Sequence, residues 1–290
     1  MVCITNVRLL LARHGLSPRK NLGQNFLIDE HVLQKIMNAA SPGAGDCVLE
    51  IGPGLGALTR GLVDAADKVL AVELDKGMVD FLSVEFNEQI RSQTLEIIHN
   101  DILKADLLTL VGPYRHMRLK VVANLPYYIT TPVIMRLLEC GLPFESHTVM
   151  IQKEVAQRIT AVPGTKDYGA LTLAIAYHAA AEIVANVPVN AFVPRPEVDS
   201  AVIRLTMHSR PLVSADKDSL FRIIHAAFAQ RRKTLVNALF SAGMGESKEH
   251  LSDTLIKCGL RPDIRGEALD IHAFARLAEA LQGGRACLHL

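Results

Sequence analysis

The sequence predicts an α/β protein with a doubly wound, mostly parallel sheet, followed by a small all-helical domain. Two observations predict this fold. Short β-branched runs alternate with helix-like segments from about residue 46 to residue 205, as in chains that join parallel strands through crossover helices. Beyond residue 207 the apolar residues recur at helical spacing, with little strand signal. We therefore predict two domains, residues 1–207, including an N-terminal arm of residues 1–27, and residues 208–290.

The individual elements follow from local patterns. A helix over residues 28–40 is predicted to begin at Asp29 and to end at Ser41-Pro42-Gly43. The predicted strands are 47–51, 68–72, 95–98, 120–123, 148–151 and 201–205. The predicted helices of the second domain are 219–241, 247–258 and 270–282, followed by a frayed tail from Gly283.

A glycine-rich loop follows the first predicted strand of the sheet. Gly52, Gly54 and Gly56 lie between that strand and the next helix, where glycine lets the backbone approach a ligand. Glu73 ends the next strand, 21 positions after Gly52, where a carboxylate can accept hydrogen bonds from both ribose hydroxyls. The spacing also fits a dinucleotide binder. The loop predicts an adenosine-bearing cofactor and leaves NAD and S-adenosylmethionine open, beside the plainer interpretation that Glu73 caps a loop.

Two acidic residues favour S-adenosylmethionine over NAD. Asp101 follows the third strand, where its carboxylate can receive an adenine amino group, and Glu50 precedes the glycines. A carboxylate suits a sulfonium cation nearby, whereas a pyrophosphate prefers neutral or basic surroundings.

The tetrapeptide Asn124-Leu125-Pro126-Tyr127 follows a buried strand and has the chemistry to bind a planar amine. The Asn124 side-chain oxygen and the Leu125 carbonyl can each accept a hydrogen bond from an amino group, and Tyr127 can stack on the ring that carries it. The plainer interpretation is a proline turn with an Asx contact. An amine bound in this way could accept the methyl group of S-adenosylmethionine. A hydride-transfer enzyme has no evident use for such an amine-binding site.

The net charge is +1, but the charged residues are unevenly distributed along the chain. Residues 1–24 carry four basic and no acidic side chains, residues 204–290 carry 13 basic and 9 acidic, and residues 25–203 carry 14 basic and 21 acidic. Basic ends around an acidic body give weak support for a polyanionic partner. Arg231, Arg232 and Lys233 lie midway along the predicted helix 219–241 and are candidates for phosphate contacts; the competing interpretation is salt bridges to the acidic body.

Several classes of protein do not fit the composition. No stretch has the ~20 uninterrupted apolar residues of a membrane span. The five cysteines are scattered without a CxxC pair, and the 11 histidines form no ligand cluster, so we expect neither disulfides nor metal. Without a convincing signal peptide, a cytoplasmic location is expected.

The combined motifs resemble the ribosomal RNA adenine N6,N6-dimethyltransferases that act on small-subunit RNA. The resemblance covers about residues 19–282. The segments that carry it are residues 19–27, the glycine loop 50–56, Glu73-Leu74-Asp75, residues 124–127, Gln152-Lys153-Glu154-Val155, Tyr168-Gly169, residues 192–200, residues 230–235 and Arg265-Gly266-Glu267.

The resemblance implies a Rossmann-like S-adenosylmethionine-dependent methyltransferase fold and a role for each candidate residue. Asn25, Leu27, Gly52, Gly54, Glu73 and Asp101 would contact S-adenosylmethionine. Asn124 would contact both cofactor and target amine. Leu125, Pro126, Tyr127 and Phe192 would complete the catalytic pocket, although by itself Phe192 is more simply an ordinary core aromatic.

The implied reaction is dimethylation of adenine N6, at two adjacent adenines near the 3′ end of small-subunit ribosomal RNA. The implied partner is an assembling small ribosomal subunit, docked by the helical domain of a monomeric enzyme. Three alternatives remain: a large-subunit adenine methyltransferase conferring macrolide resistance, an assembly factor acting mainly by binding and, more distantly, a dinucleotide-dependent reductase. Gly23 and residues 265–267 favour the small-subunit family over the resistance enzyme.

Overall fold

The computed structural model describes residues 7–19 and 22–286. Contacts divide the chain into two compact units, one formed by residues up to 156 together with 181–207, the other by residues 157–180 together with those from 208 onwards. The stretch 157–180 falls in the first domain by the sequence-based boundary and in the second unit by its contacts. The reason is that Leu173 and Tyr177 pack into the helical core.

A seven-stranded sheet forms the centre of the fold, beside a two-stranded sheet. The strands are β1 (Phe26–Leu27), β2 (Asp46–Ile51), β3 (Lys68–Glu73), β4 (Leu95–His99), β5 (Arg118–Asn124), β6 (Phe144–Gln152), β7 (Ala179–Val187), β8 (Phe192–Val193) and β9 (Ser200–Met207). The large sheet has the order β4-β3-β2-β5-β6-β9-β7, and β1 pairs with β8. Neighbouring strands from β4 to β6 are parallel, and β6 and β9 are antiparallel. The prediction of a mostly parallel sheet is confirmed.

The part of the chain that the structure describes contains thirteen α-helices, besides short 3-10 helices. They are α1 (Val7–Arg13), α2 (Glu30–Ala40), α3 (Ala57–Ala65), α4 (Lys76–Glu85), α5 (Asn87–Arg91), α6 (Leu107–Val111), α7 (Thr130–Glu139), α8 (Lys153–Ile159), α9 (Ala170–His178), α10 (Lys217–Ala229), α11 (Leu235–Ser241), α12 (Lys248–Lys257) and α13 (Ile271–Ala286). The predicted cap of α2 is confirmed, because the Asp29 carboxylate accepts hydrogen bonds from the N–H groups of His31 and Val32.

The strand order reverses between β2 and β5. From β2 the chain builds outwards through β3 to β4, and then returns to place β5 on the opposite side of β2. Ligands of open α/β sheets bind at such a reversal, beyond the carboxyl ends of the strands. The glycine loop follows β2 and the tetrapeptide follows β5, so the fold places both at this position.

Strand β5 extends beyond the predicted run 120–123 at both ends and contains a buried lysine. Lys120 donates hydrogen bonds from Nζ to Asp46 Oδ2 at 2.8 Å and to the Ser41 carbonyl at 2.7 Å. Asp46 is fully buried and also accepts from Arg118 Nε at 2.6 Å. A buried charge is tolerated when it is paired in this way, so Lys120 does not end the strand.

The predicted helix 219–241 is wrong in one respect, since it is two helices. α10 ends at Ala229, and Thr234 begins α11 by accepting a hydrogen bond from the Asn237 N–H. Leu235 N–H then donates to the Ile264 carbonyl at 2.7 Å, which anchors the start of α11 elsewhere in the helical unit. The basic cluster of residues 231–233 therefore lies in the connecting loop and not on a helix.

Three other differences concern the ends and edges of the fold. Residues 283–286 continue α13, so the frayed tail predicted from Gly283 is wrong as far as Ala286, and residues 287–290 lie outside the described residues. Neither β7 nor α1 has a counterpart among the predicted elements. Most residues of β7 are at least partly exposed, so the strand lacks the continuous apolar run by which a buried strand is predicted. Of the motif at residues 19–27, Lys20 and Asn21 lie outside the described residues.

Membrane spans and metal clusters are both absent from the described residues. None of their helices has the length and apolar character needed to cross a membrane. Within the same residues, no group of three or more histidine, cysteine, aspartate or glutamate side chains is arranged to hold a metal ion.

Candidate active site

The glycine loop wraps tightly around the end of β2. Gly54 has φ +57° and donates its N–H to Glu73 Oε2 at 3.1 Å. Gly56 has φ +78°, and a Cβ there would lie 2.5 Å from the Phe86 ring. Backbone in the left-handed region and a contact this close both require glycine. The loop therefore presents bare backbone to the cleft above it.

Glu73 occupies the position predicted for a ribose contact. Its side chain is buried and lines the cleft. Oε2 accepts from Gly54, and Oε1 accepts from the Asp75 N–H at 2.8 Å. Burial raises the pKa of Glu73, while these backbone hydrogen bonds oppose the rise. The two bonds fix the orientation of the carboxylate and leave lone pairs on both oxygens for a ligand.

Glu50 is a buried acid without a hydrogen-bond partner. It is 1% exposed, and neither carboxylate oxygen is paired within the described residues. Burial raises its pKa to about 8; the nearby Thr59 lowers it and the negative charge of Glu73 raises it further. Unpaired buried acids are costly. Since Glu50 lines the cleft, it is suited to a positively charged ligand group.

Asp101 lies beyond the end of β4, on the rim of the same cleft. Its Oδ1 accepts from the Leu103 N–H at 2.9 Å, and its own N–H donates to Asn100 Oδ1 at 2.8 Å. Lys104 Nζ is 3.8 Å from Oδ2 in an exposed contact, which contributes little. Oδ2 thus remains able to accept from an adenine amino group.

Asn124, the last residue of β5, faces the glycine loop. Its Nδ2 donates to the Asn25 carbonyl at 3.1 Å, which leaves its Oδ1 as the acceptor atom. A Cβ on Gly52 would lie 3.7 Å from the Asn124 carbonyl oxygen. Leu125 is held by its N–H, which donates to the Met150 carbonyl on β6 at 3.1 Å.

Two aromatic residues line the cleft beside Asn124. The Tyr127 hydroxyl lies 2.7 Å from Ser200 Oγ on β9, and burial raises its pKa. Phe192 is 2% exposed and belongs to the main core of the sheet. It is both a core aromatic and part of the cleft wall. Its proposed role as one face of a base pocket stays a prediction.

The segment at residues 22–27 forms the remaining wall. All six of its residues line the cleft. β1 pairs with β8 so that Leu27 lies opposite Phe192, and Ile28 N–H donates to the Ala191 carbonyl at 2.8 Å. The structure therefore brings Leu27 to Phe192, far away in sequence, through a pairing that the sequence did not indicate.

One cleft in the first unit thus contains every predicted catalytic and cofactor residue: Asn25, Leu27, Gly52, Gly54, Glu73, Asp101, Asn124, Leu125, Pro126, Tyr127 and Phe192. Sequence reasoning gave no role to Gln24 or Tyr128, which also line it. Tyr128 is 57% exposed, and its position directly after the tetrapeptide is the signal in the sequence that could have indicated it.

The basic cluster lies in the second unit, and its members differ. Arg231 donates to the Lys166 carbonyl at 2.8 Å and pairs with Glu267 Oε2 at 3.2 Å. Arg232 and Lys233 are exposed and have no ion pair within the described residues. Glu267 is in the helical unit, so the observed partner of Arg231 is not the acidic body.

Comparison with solved structures defines the class of protein. A dimethyladenosine transferase from Plasmodium falciparum superposes with a TM-score of 0.76 at 26% identity, covering 89% of this chain and 98% of that one. The 23S rRNA methyltransferase ErmE gives a TM-score of 0.67 at 25% identity, covering 89% and 100%. The fold is the predicted Rossmann-like sheet of the methyltransferases with a helical domain.

Sequence comparison then gives the family. The model of the ribosomal RNA adenine dimethylase family matches residues 15–282. A ribosomal RNA small subunit methyltransferase A from Lachnoclostridium phytofermentans is 48% identical over 275 residues, which cover 94% of each protein. The chain belongs to the ribosomal RNA adenine dimethylase family. The predicted family and enzyme class, an adenine dimethyltransferase of small-subunit ribosomal RNA, are confirmed.

Proposed function

We propose that the cleft binds S-adenosylmethionine and an adenine turned out of small-subunit ribosomal RNA, and that N6 receives two methyl groups. We propose as targets two adjacent adenines near the 3′ end, within an assembling subunit in the cytoplasm, and a monomeric enzyme. The observation that carries this function is the cleft itself, with Glu50, Glu73 and Asp101 on the glycine-loop side and Asn124 and Tyr127 beside them.

The residues present fit the proposed cofactor. Glu73 would hold the ribose hydroxyls and Asp101 the adenine amino group. The bare backbone at Gly52 and Gly54 would admit the methionine part, and the unpaired Glu50 carboxylate is suited to its positive charge. When bound, S-adenosylmethionine supplies an activated methyl group, so the protein needs chiefly to supply alignment.

Asn124 and Leu125 would orient the target nitrogen. The lone pair of adenine N6 is delocalised into the ring, which makes the amine a poor nucleophile. Hydrogen bonds from N6 to the Asn124 oxygen and to the Leu125 carbonyl would draw the nitrogen towards a tetrahedral geometry and free that lone pair. After methyl transfer N6 carries a positive charge and its proton becomes acidic, so the proton can leave without a dedicated general base.

The target base must leave its stack to reach Asn124, which costs a few kcal/mol. Stacking on aromatic side chains contributes about 1–3 kcal/mol per base and offsets this cost. Tyr127 is fixed for such a role by its hydroxyl contact with Ser200. Phe192 would form the opposite face.

Glu73→Ala is expected to weaken S-adenosylmethionine binding by about tenfold or more, because two ribose hydroxyls lose a charged acceptor. Isothermal titration of wild type and variant measures this loss. Glu182→Ala, an exposed change on β7, serves as control. Unchanged affinity in Glu73→Ala would mean that Glu73 is a loop cap and not a ribose contact.

Glu50→Gln is expected to stabilise the cofactor-free protein more at pH 8 than at pH 5. The folded-state pKa of about 8 lies above the unfolded value of about 4.3. Between these values the unfolded chain loses the proton first, so wild-type stability falls as pH rises, by at most about 1.4 kcal/mol per pH unit. Urea unfolding at several pH values measures the effect. An equal gain at both pH values would contradict the burial of a titrating acid.

Arg231, Arg232 and Lys233 are the proposed phosphate contacts of the helical unit, and Arg232 and Lys233 give the cleaner test because they have no ion pair within the described residues. Arg232→Ala/Lys233→Ala is expected to weaken RNA binding and to reduce the slope of log affinity against log salt by about 0.7–0.9 for each phosphate that the variant no longer neutralises. Lys248→Ala/Lys257→Ala removes two charges elsewhere in the same unit as control. If the first pair keeps the wild-type slope, this docking site is wrong.

The function is tested by transfer of labelled methyl groups to immature small subunits and, separately, to large-subunit RNA, with nucleoside analysis. Dimethyladenosine in small-subunit RNA alone supports the proposal. Label in large-subunit RNA would favour the resistance enzyme, and cofactor binding without label would favour an assembly factor. The higher identity to small-subunit enzymes than to the 23S enzyme supports the first outcome.

A further inference from the structure

Asp75 connects the wall of the cleft at residues 22–27 to the proposed ribose site. It follows β3 by two residues and is 2% exposed. Its Oδ1 accepts from the Gly77 N–H at 2.9 Å, which caps α4. Its other oxygen, Oδ2, has a different partner, since Gln24 Nε2 donates to it at 3.0 Å. The carboxylate therefore holds a helix with one oxygen and the segment 22–27 with the other.

Gln24 is itself held in place for this contact. Its Oε1 accepts from the Arg19 N–H at 2.8 Å. The Arg19 guanidinium also lies 3.2 Å from Asp75 Oδ2, but its side chain is 55% exposed. Hydrogen bonds to a buried carboxylate are among the stronger kinds. Both contacts end on the same buried oxygen, and only the bond from Gln24 comes from a residue that lines the cleft.

The backbone of Asp75 continues the connection to the proposed cofactor site. Its N–H donates to Glu73 Oε1 at 2.8 Å, and Glu73 Oε2 accepts from Gly54. Four elements are thus joined through two buried carboxylates: residues 22–27, the end of β3, the start of α4 and the glycine loop. Any movement of residues 22–27 away from the cleft must break the bond between Gln24 and Asp75.

We propose that Asp75 is a positioning residue, which holds residues 22–27 over the cofactor part of the cleft through Gln24 and thereby slows cofactor release. This inference rests on the proposed function, because it takes the ligand of the cleft to be S-adenosylmethionine. Asp75 would touch neither the cofactor nor the target base. Its side chain acts through Gln24.

A double-mutant cycle tests the contact by reversing its polarity. Gln24→Glu places two carboxylates face to face. Asp75→Asn places the new amide nitrogen against the amide nitrogen of Gln24. If the new amide turns over, its nitrogen instead faces the Gly77 N–H and the cap of α4 is lost. In the double variant, the new amide at position 75 donates to the new carboxylate at position 24, which still accepts from the Arg19 N–H. We expect each single variant to bind S-adenosylhomocysteine about tenfold more weakly or worse, through faster dissociation, and the double variant to recover most of the loss.

Matched controls separate positioning from general destabilisation. Asp106→Asn alters another aspartate N-cap, at α6, whose carboxylate accepts from the N–H groups of Leu108 and Thr109. This variant should leave ligand dissociation unchanged. Hydrogen exchange of residues 22–28 should rise in both single variants and return in the double variant. A merely structural role of Asp75 would predict no recovery on adding Gln24→Glu.

The outcomes distinguish the two proposals. If the wild-type protein binds neither S-adenosylmethionine nor S-adenosylhomocysteine, the proposed function fails. If it binds them and the single variants dissociate at the wild-type rate, or the double variant is no better than Asp75→Asn, the positioning role is overturned while the proposed function stands.

Discussion

Asn124→Ala is expected to lower methyl transfer by at least about 100-fold while the protein remains folded. The substitution removes the acceptor oxygen proposed for N6 and the bond from Nδ2 to the Asn25 carbonyl. Loss of one aligned polar group at a reacting centre costs on the order of 10²–10³ in rate. Single-turnover transfer to immature small subunits, at saturating cofactor and RNA, measures the chemical step.

Asn124→Asp refines this prediction. Aspartate keeps an acceptor oxygen but cannot donate to the Asn25 carbonyl, so it separates the proposed contact with N6 from the link to residues 22–27. We expect Asn124→Asp to bind cofactor more weakly than Asn124→Ala, because its charge faces a carbonyl oxygen. Wild-type rates in Asn124→Ala would exclude the proposed geometry.

Tyr127→Ala is expected to lower methyl transfer about 10- to 100-fold with little change in cofactor affinity. Its ring would cover one face of the target base, and such stacking is worth about 1–3 kcal/mol per base. Tyr127→Phe keeps the ring and loses only the hydroxyl contact with Ser200. We therefore expect Tyr127→Phe to retain most activity. Rates and cofactor affinity are measured for both variants.

A different pattern would revise the role of Tyr127. Equal losses of transfer and of cofactor affinity in Tyr127→Ala would make it a cofactor or core residue. Loss of activity in Tyr127→Phe comparable to that in Tyr127→Ala would show that the contact with Ser200, and not the ring, is what matters. Ser200→Ala is the matched variant, because it removes the same contact from the opposite side.

The candidate site was largely predictable because its residues lie at the ends of strands. Glu73 ends β3 and Asn124 ends β5, and buried parallel strands are marked by short β-branched runs. Once the runs are placed, parallel pairing carries their polar end residues to one edge of the sheet. The sequence therefore predicted that Glu73 and Asn124 lie at the same edge of the sheet, without any knowledge of distances.

Predictions failed where tertiary contacts outweigh local patterns. Apolar spacing continues from α10 into α11, yet the chain breaks at Gln230 because Thr234 caps a new helix and Leu235 bonds to Ile264. Periodicity does not record such a distant partner. The same limit applies to Lys120, a charge inside a buried strand that is tolerated because Asp46 lies beside it.

The sequence by itself determined six strands of the large sheet, the glycine loop and the chemistry at the strand ends, because these depend on local patterning and on residue type. Only the tertiary structure decided that Phe26 and Leu27 pair with β8, and that Asp75 holds Gln24. It also decided that Arg231 pairs with Glu267, whereas Arg232 and Lys233 have no ion pair within the described residues. These are contacts between residues that are far apart along the chain. Their geometry exists only once the strands and helices have packed, so no local pattern encodes it.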